Sequence, residues 1–228
     1  MLRLIAKFLQ FANRIRMRFQ GKRYGLLTPT DVGALEWVLN RLLSTPYDSP
    51  IRILEIGIWR GDTAAGIRDY IERHGRVVEY VGIDLGKDWR VIEPWWECRL
   101  IRGDSFFVSS QVPDDYFDLL FIDGCHCRHH VTGDFLEYGK KVRQTGFCLF
   151  HDTSPLIPIG HEFQGIHDVS TDVHVVDNRD IHSYSRYSIQ GMLDNKYFDG
   201  WSKVADVWCA DKWCGIYGGI MGFRKGIS

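Results

Sequence analysis

Four acidic side chains lie where apolar, strand-like runs of the sequence end. They are Glu55, just inside the end of the first run, and then Asp84, Asp123 and Asp152. In an open parallel sheet these ends line one crevice, where ligands bind. Because a buried carboxylate is costly unless it is paired, a plain apolar core has no need of this arrangement. The pattern therefore predicts a ligand site built from several strand ends.

The first of these runs leads into a glycine turn. The letters IRILEIGIWRG predict a buried strand over Ile51–Ile58, followed by a helix that opens at Asp62 and Thr63. Gly57 lets the chain turn tightly and lets a ligand approach the backbone, and Gly61 keeps the turn clear of side chains. Either Asp62 or Thr63 can cap the helix. The segment predicts a nucleotide-type cradle, with an ordinary strand-to-helix turn as the alternative.

The spacing within this cradle bears on which ligand it holds. The dinucleotide fingerprint G-x-G-x-x-G seats a pyrophosphate, but only Gly57 and Gly61 are glycines here. A second predicted strand, over Val77–Asp84, ends in an acid. The number of residues between Gly57 and Asp84 is typical of a strand-helix-strand unit in which this acid binds the ribose hydroxyls of a nucleotide. The alternative is that Asp84 caps a helix or a loop. An acid before a looser G-x-x-x-G resembles motif I of the class I S-adenosylmethionine (SAM) methyltransferases, in which the turn holds an amino-acid tail.

The overall composition suits a folded enzyme. The chain has 228 residues, enough for one sizeable α/β domain, and 14% aromatic residues, which argues against disorder. Its net charge is −1, so we expect no general attraction to nucleic acid. Six cysteines without an apparent secretory signal predict a reducing, cytoplasmic setting.

The N-terminal region differs from the rest in charge. Residues 1–30 carry seven basic residues and no acid, which leaves −8 on the remainder. Within an N-terminal segment placed at 1–27, residues 2–19 predict a basic amphipathic helix. Such a helix can lie on an anionic membrane surface, which would give peripheral contact at the inner membrane. The alternative is that it docks on its own domain or on a second subunit of a homo-oligomer.

The remaining chain, residues 28–228, alternates helices and strands. A helix from Thr28 to about Ser44 comes first. Apolar runs then predict strands over 51–58, 77–84, 98–101, 117–123 and 146–150, helices to about residue 75 and over 131–142, and a closing hairpin from 204–208 and 215–223. We therefore predict an α/β, Rossmann-like doubly wound sheet of seven strands, mostly parallel with a C-terminal antiparallel hairpin. The long segment 153–200 predicts a lid or substrate-binding insertion.

Two segments carry the most specific pattern of the sequence, FIDGCHCRHHVTGDF and GFCLFHDT. They resemble the small-molecule O-methyltransferases typified by the macrolide-sugar enzymes and the related cephalosporin-hydroxylase-like group. With motif I, the resemblance covers about residues 51–152. It implies a SAM cofactor and a small hydroxylated acceptor, such as a saccharide, that receives the methyl group.

The same resemblance implies roles for the acids and histidines of these segments. Asp123, the acid of F-I-D-G-x-H, binds Mg²⁺ or another divalent metal, and His126 is the candidate general base. An acidic pair of the family corresponds here to His151 and Asp152, which is a departure from the family pattern. Because Mg²⁺ prefers oxygen ligands, Asp123 and Asp152 are better candidate ligands than His151. His151 is the second candidate base.

The resemblance also implies which residues bind the cofactor. They are Glu55, Gly57, Gly61 and Thr63 around the turn, Asp84 and Asp123 at strand ends, and Asp104 and Ser105 after the third strand. In the family, the position of Asp104 meets the adenine ring. Two alternatives stay open, namely Asp104 as a plain turn residue and His126 as a structural histidine.

Other functions compete with methyl transfer. A zinc site is suggested by the cluster Cys125, His126, Cys127, His129 and His130, but C-x-C beside H-H does not match structural zinc spacing. An NAD-dependent oxidoreductase is disfavoured because the third glycine of the fingerprint is missing. A catalytically idle SAM-fold scaffold at a membrane surface has only the N-terminal helix in its favour.

Overall fold

Seven strands form one mixed sheet in the computed structural model, which describes residues 24, 27–45, 49–86, 98–126, 128–153, 185–211 and 216–226. The strands are β1 (Ile51–Ile56), β2 (Val78–Asp84), β3 (Cys98–Arg102), β4 (Phe117–Ile122), β5 (Val142–Phe150), β6 (Trp201–Asp211) and β7 (Ile216–Lys225). Their order across the sheet is β3-β2-β1-β4-β5-β7-β6. Neighbours from β3 to β5 are parallel, whereas β7 runs antiparallel to both β5 and β6. The predicted doubly wound sheet with its closing hairpin is confirmed.

The central strands are almost entirely apolar because both faces of the sheet are covered. In β1 every residue except Arg52 is buried, and in β4 all six residues are buried. The one acid of β4, Asp118, accepts a hydrogen bond from the Arg52 amide at 2.7 Å and pairs with Arg143. This continuous burial is typical of central parallel strands.

The helices divide between the two faces of the sheet. They are α1 (Pro29–Leu43), α2 (Asp62–Arg73), α3 (Ser105–Val108), α4 (Arg128–Tyr138) and α5 (Ser185–Asp194). One apolar core joins α1 and α2 to residues such as Ile53 and Leu149. The other joins α4 and α5 to the opposite face, through residues such as Leu54 and Phe150. Successive side chains such as Ile53 and Leu54 of β1 enter opposite cores, as the period of two requires.

The start of α2 corrects one prediction. Its N-cap residue is Gly61, at φ +88°, and no side chain bonds the cap. The expectation that Asp62 or Thr63 caps the helix is therefore wrong, since both already lie in its first turn. Because the N-cap position is a glycine, it has no side-chain oxygen that could accept from the first amides of the helix.

The junction between α4 and β5 differs from the predicted bounds of the helix. The predicted helix over 131–142 begins earlier, at Arg128, and gives way after Tyr138 to a short 3₁₀ turn over Gly139–Lys141. Val142 is already the first residue of β5 and pairs with Phe117 across the sheet. The buried Lys141 amine donates to the Val112 carbonyl at 2.8 Å, a contact far along the chain that local periodicity does not reveal.

Two predictions concern residues outside the described part of the chain. These are the amphipathic helix over 2–19 and most of the predicted insertion, residues 154–184. The described end of the insertion contains α5, which packs against α4. No helix in the described ranges has the length and apolar character that crossing a membrane requires.

Candidate active site

The turn after β1 lies directly against the end of β4. Gly57 adopts a φ of +86°, and a Cβ added there would overlap the main-chain carbonyl of Asp123 and lie 2.5 Å from the Cα of Gly124. The Asp123 amide also donates to the Ile56 carbonyl at 2.8 Å. Gly57 is therefore required for a close contact between two strand ends, which brings Asp123 beside the cradle.

Asp84 joins the end of β2 to this turn. Its Oδ2 accepts hydrogen bonds from the Ile58 amide at 2.7 Å and the Trp59 amide at 2.8 Å. Its Oδ1 accepts from the amide of Gly86. In this structure the carboxylate thus caps the loop, and its predicted contact with ribose hydroxyls stays a prediction.

Large apolar side chains are exposed after the ends of β1, β2 and β3. Trp59 is 56% exposed and Leu85 is 59% exposed, one after each of two neighbouring strand ends. Phe107, in the helix that follows β3, is 83% exposed. These residues follow the ends of three neighbouring parallel strands, at the edge of the sheet where ligands bind.

Glu55 lies beneath the cradle and faces the core. Its side chain is 1% exposed, and the Tyr80 hydroxyl donates to its Oε2 at 2.6 Å. Burial raises the pKa of Glu55 well above its ordinary value, and the bond from Tyr80 opposes this rise only in part. These surroundings therefore favour the protonated form of the carboxyl. Thr63, another predicted cofactor residue, is buried in the first turn of α2.

Asp104 and Ser105 lie at the start of α3. Asp104 is the N-cap and accepts a hydrogen bond from the Phe106 amide at 2.9 Å, which is the plain turn role that the sequence left open. The Ser105 hydroxyl donates to buried Asp134 at 2.5 Å, and the Tyr138 hydroxyl donates to the Ser105 carbonyl at 2.6 Å. These bonds fix α3 on α4. Contact of either residue with adenine stays a prediction.

The ends of β4 and β5 bring the predicted metal and base residues into one cluster. His126 Nε2 lies 3.1 Å from Asp152 Oδ2 and 3.9 Å from Asp123 Oδ1. His151 Nδ1 lies 2.6 Å from Asp123 Oδ1 and 3.6 Å from Asp152 Oδ1. Two carboxylates and two imidazoles, from the chain after β4 and the chain after β5, thus lie within 4 Å of a partner in one cluster.

A fifth member of this cluster comes from α1. Asp31 is fully buried, and its Oδ2 lies 3.4 Å from His151 Nε2. Its Oδ1 has no hydrogen-bond partner among the described residues. In the sequence, Asp31 belongs to a helix start signal, T-P-T-D, and no local pattern connects it with a histidine much further along the chain.

The charges of the cluster support one another. Burial acts to lower the pKa of His151, but Asp123 and Asp152 outweigh it and raise that pKa well above its ordinary value. Burial acts to raise the pKa of Asp152, but His151 and His126 outweigh it and lower that pKa. The carboxylates therefore favour the protonated form of His151, and both of its ring nitrogens face carboxylate oxygens.

Within the described residues, three side chains are grouped as a metal site requires. Asp123, His126 and Asp152 each offer a ligand atom, and these atoms lie within 4.8 Å of one another. Two carboxylate oxygens and one imidazole nitrogen fit a divalent cation. His151, a predicted ligand, is outside this group of three. Its ring nitrogens face the carboxylates of Asp123 and Asp31.

One family model matches the central part of the chain. Residues 54–153 match a family model described as a methyltransferase domain. This segment runs from β1 to just past β5, so it contains both the glycine turn and the cluster of acids and histidines. Together with the seven-stranded sheet, the match supports an assignment of this segment to the class I SAM-dependent methyltransferase domains.

Solved structures share this fold at low identity. A putative caffeoyl-CoA O-methyltransferase from Staphylococcus aureus is 14% identical, with a TM-score of 0.58 over 98% of this chain and 100% of its own. MycE, a methyltransferase of the mycinamycin pathway solved with Mg and SAH, is 18% identical, with a TM-score of 0.54 over 86% of this chain and 49% of its own. The CMeT domain of the citrinin polyketide synthase is 13% identical, with a TM-score of 0.55 over 86% and 53%.

This chain therefore spans about half the length of MycE and of the CMeT structure. At these identities the likeness shows the fold alone. Among curated protein sequences, none matches this chain.

Proposed function

We propose that this protein transfers a methyl group from SAM to a hydroxyl of a small acceptor, with the help of a divalent cation. The observation that carries the proposal is the position of His126 Nε2 beside the carboxylates of Asp123 and Asp152. A hydroxyl is a poor nucleophile at neutral pH, so its methylation calls for a group that removes its proton. The cluster offers such a group at the edge of the cofactor cradle.

The ends of β1 and β2 supply the cofactor side of the site. Their turn is held open by Gly57 and Gly61, both in the left-handed region, and is stabilised by Asp84. Trp59 and Leu85 add exposed apolar surface that suits an adenosine group. When bound, SAM supplies an electrophilic methyl group on its sulfonium. The SAH and Mg in the MycE structure are in keeping with this pairing of cofactor and cation.

His126 is the better placed of the two candidate bases. Its side chain is 34% exposed, so an acceptor can reach it, and the Asp152 carboxylate orients its ring. That carboxylate also stabilises the positive charge when the imidazole takes a proton. His151 is poorly suited to the same task, because it is buried and both of its ring nitrogens already face carboxylates.

Asp123 and Asp152 are the residues that would hold the cation. Their oxygens suit Mg²⁺ or Mn²⁺, and both side chains are partly exposed at the crevice. A bound divalent cation supplies positive charge that lowers the pKa of a neighbouring hydroxyl. His126 lies close enough to be a third ligand, so the experiment must separate its use as a ligand from its use as a base.

The substitution His126→Gln makes this separation. Glutamine keeps a polar side chain of similar size but cannot take a proton. We expect the dissociation constants for SAM and Mn²⁺, measured by calorimetry, to stay close to those of the unmodified protein. Transfer of a radiolabelled methyl group to a panel of sugars and phenols should fall by about 10²–10⁴-fold.

The matched control is His74→Gln, which changes an exposed histidine at the end of α2 and should leave all three quantities unchanged. Retained turnover in His126→Gln would remove the base assignment. A large loss of Mn²⁺ affinity would make His126 a ligand instead. If the unmodified protein binds NADH and not SAM, the proposed function is wrong as a whole.

A further inference from the structure

Asp31 makes a contact with the active site in addition to the hydrogen bonds that cap α1. Its Oδ2 accepts hydrogen bonds from the Thr28 amide at 2.8 Å and the Thr28 hydroxyl at 2.6 Å, and also faces His151 Nε2 at 3.4 Å. Capping is equally well served by an acid in contact with water. This acid is fully buried, and its Oδ1 lacks a hydrogen-bond partner among the described residues. Burial of a carboxylate is costly unless it is paired, and the imidazole ring that faces Asp31 is that of His151.

The surrounding chain makes room for Asp31 in this position. Gly218 of β7 lies against it, and a Cβ added there would come within 2.5 Å of both Asp31 Oδ2 and Thr28 Cγ2. The next residue, Gly219, accepts a hydrogen bond from the Thr153 amide at 3.1 Å, just past His151 and Asp152. The start of α1, the end of β5 and a glycine of β7 are thus packed around one carboxylate.

We propose that Asp31 is a positioning residue of the active site, which holds His151 so that this ring in turn fixes the carboxylate of Asp123. The inference rests on the proposed function, since it assigns Asp123 to the cation. With Nε2 held by Asp31, the ring can present only Nδ1 to Asp123 Oδ1, at 2.6 Å. The carboxylate is then fixed relative to Asp152 and His126. Outer partners of this kind tune the affinity of a site for its metal.

The test is a double-mutant cycle of Asp31→Asn and His151→Gln, with the affinity for Mn²⁺ and the separate values of kcat and KM as readouts. Each single variant should weaken Mn²⁺ binding by about 10–100-fold. If Asp31 acts through His151, the double variant should bind Mn²⁺ no more weakly than His151→Gln alone. The fall in turnover should appear in kcat and be partly restored by high Mn²⁺, whereas KM for SAM should not move.

The control is Val32→Ala, which removes a buried side chain from the same turn of α1 without touching the cluster. It should lower the melting temperature but leave Mn²⁺ affinity as it was. Additive losses in the cycle, or a Mn²⁺ affinity of Asp31→Asn equal to that of the unmodified protein, would overturn the inference and leave the proposed function standing. If the unmodified protein binds SAM but no divalent cation, the metal step of the proposed function fails, and the inference fails with it.

Discussion

The two halves of the strand-end edge use their acids differently. At the ends of β2 and β3, Asp84 and Asp104 accept hydrogen bonds from main-chain amides. At the ends of β4 and β5, Asp123 and Asp152 face imidazole rings instead. An amide fixes the shape of a loop, whereas an imidazole can gain or lose a proton. An acid at a strand end is therefore assigned a role by its partner and not by its position alone.

This difference divides the proposed work between the halves. At the ends of β2 and β3, the chain forms a hydrogen-bonded loop with exposed apolar side chains nearby, which suits binding of a cofactor without any proton transfer. The second half is a cluster of opposite charges, in which His151 has a raised pKa and Asp152 a lowered one. Perturbed groups of this kind concentrate where chemistry takes place. Substituting matched acids in the two halves should therefore give different kinetic defects.

The largest effect is expected for Asp123→Asn. The amide would remove a charge that both His151 and the cation depend on, so turnover should fall at least about 100-fold. SAM affinity should fall by much less than turnover, although the resemblance also places Asp123 among the cofactor-binding residues. Methyl transfer at saturating SAM and calorimetric titration with SAM measure the two quantities. Asp115→Asn is the control, since that residue is exposed before β4 at a φ of +50°, a conformation that asparagine accepts.

A smaller defect, in SAM binding instead of turnover, is expected for Asp84→Asn. An asparagine has one acceptor oxygen and cannot accept from all the amides that Asp84 serves, so the turn should loosen. Losing hydrogen bonds to a charged group should weaken SAM binding by about tenfold or more, while turnover at saturating SAM is largely kept. If turnover at saturation fell as far as in Asp123→Asn, the division between the two halves would not hold.

The same comparison shows how far the sequence could be read. The element order and the strand-end acids follow from apolar runs of a few residues, and the fold predicted from them is confirmed. His126 was visible because it lies three residues after Asp123 in one short motif. The partners of the buried acids were not visible. Asp31 and His151 are 120 positions apart, and Glu55 and Tyr80 are 25 apart, so only the folded chain brings them together.

The smallest effect is expected for Glu55, whose carboxyl is hydrogen-bonded to a tyrosine hydroxyl instead of a main-chain amide or an imidazole. Burial raises the pKa of Glu55 well above its ordinary value of 4.5, and the hydrogen bond from Tyr80 lowers it only in part. The carboxyl is therefore protonated in the folded protein over a range of pH in which the unfolded chain ionises it. Its contribution to stability is complete below about pH 4.5 and is lost as the pH rises through the raised pKa.

Glu55→Gln should remove this pH dependence, because glutamine still accepts the Tyr80 hydroxyl but cannot ionise. Above pH 4.5, we expect the free energy of unfolding of the variant to gain on that of the unmodified protein by up to about 1.4 kcal/mol per pH unit. Urea unfolding at intervals from pH 5 to pH 8 measures the difference. If the free energy of unfolding of the two proteins changed with pH in parallel, Glu55 would be ionised in the folded protein. Its carboxylate could then bind a positively charged ligand.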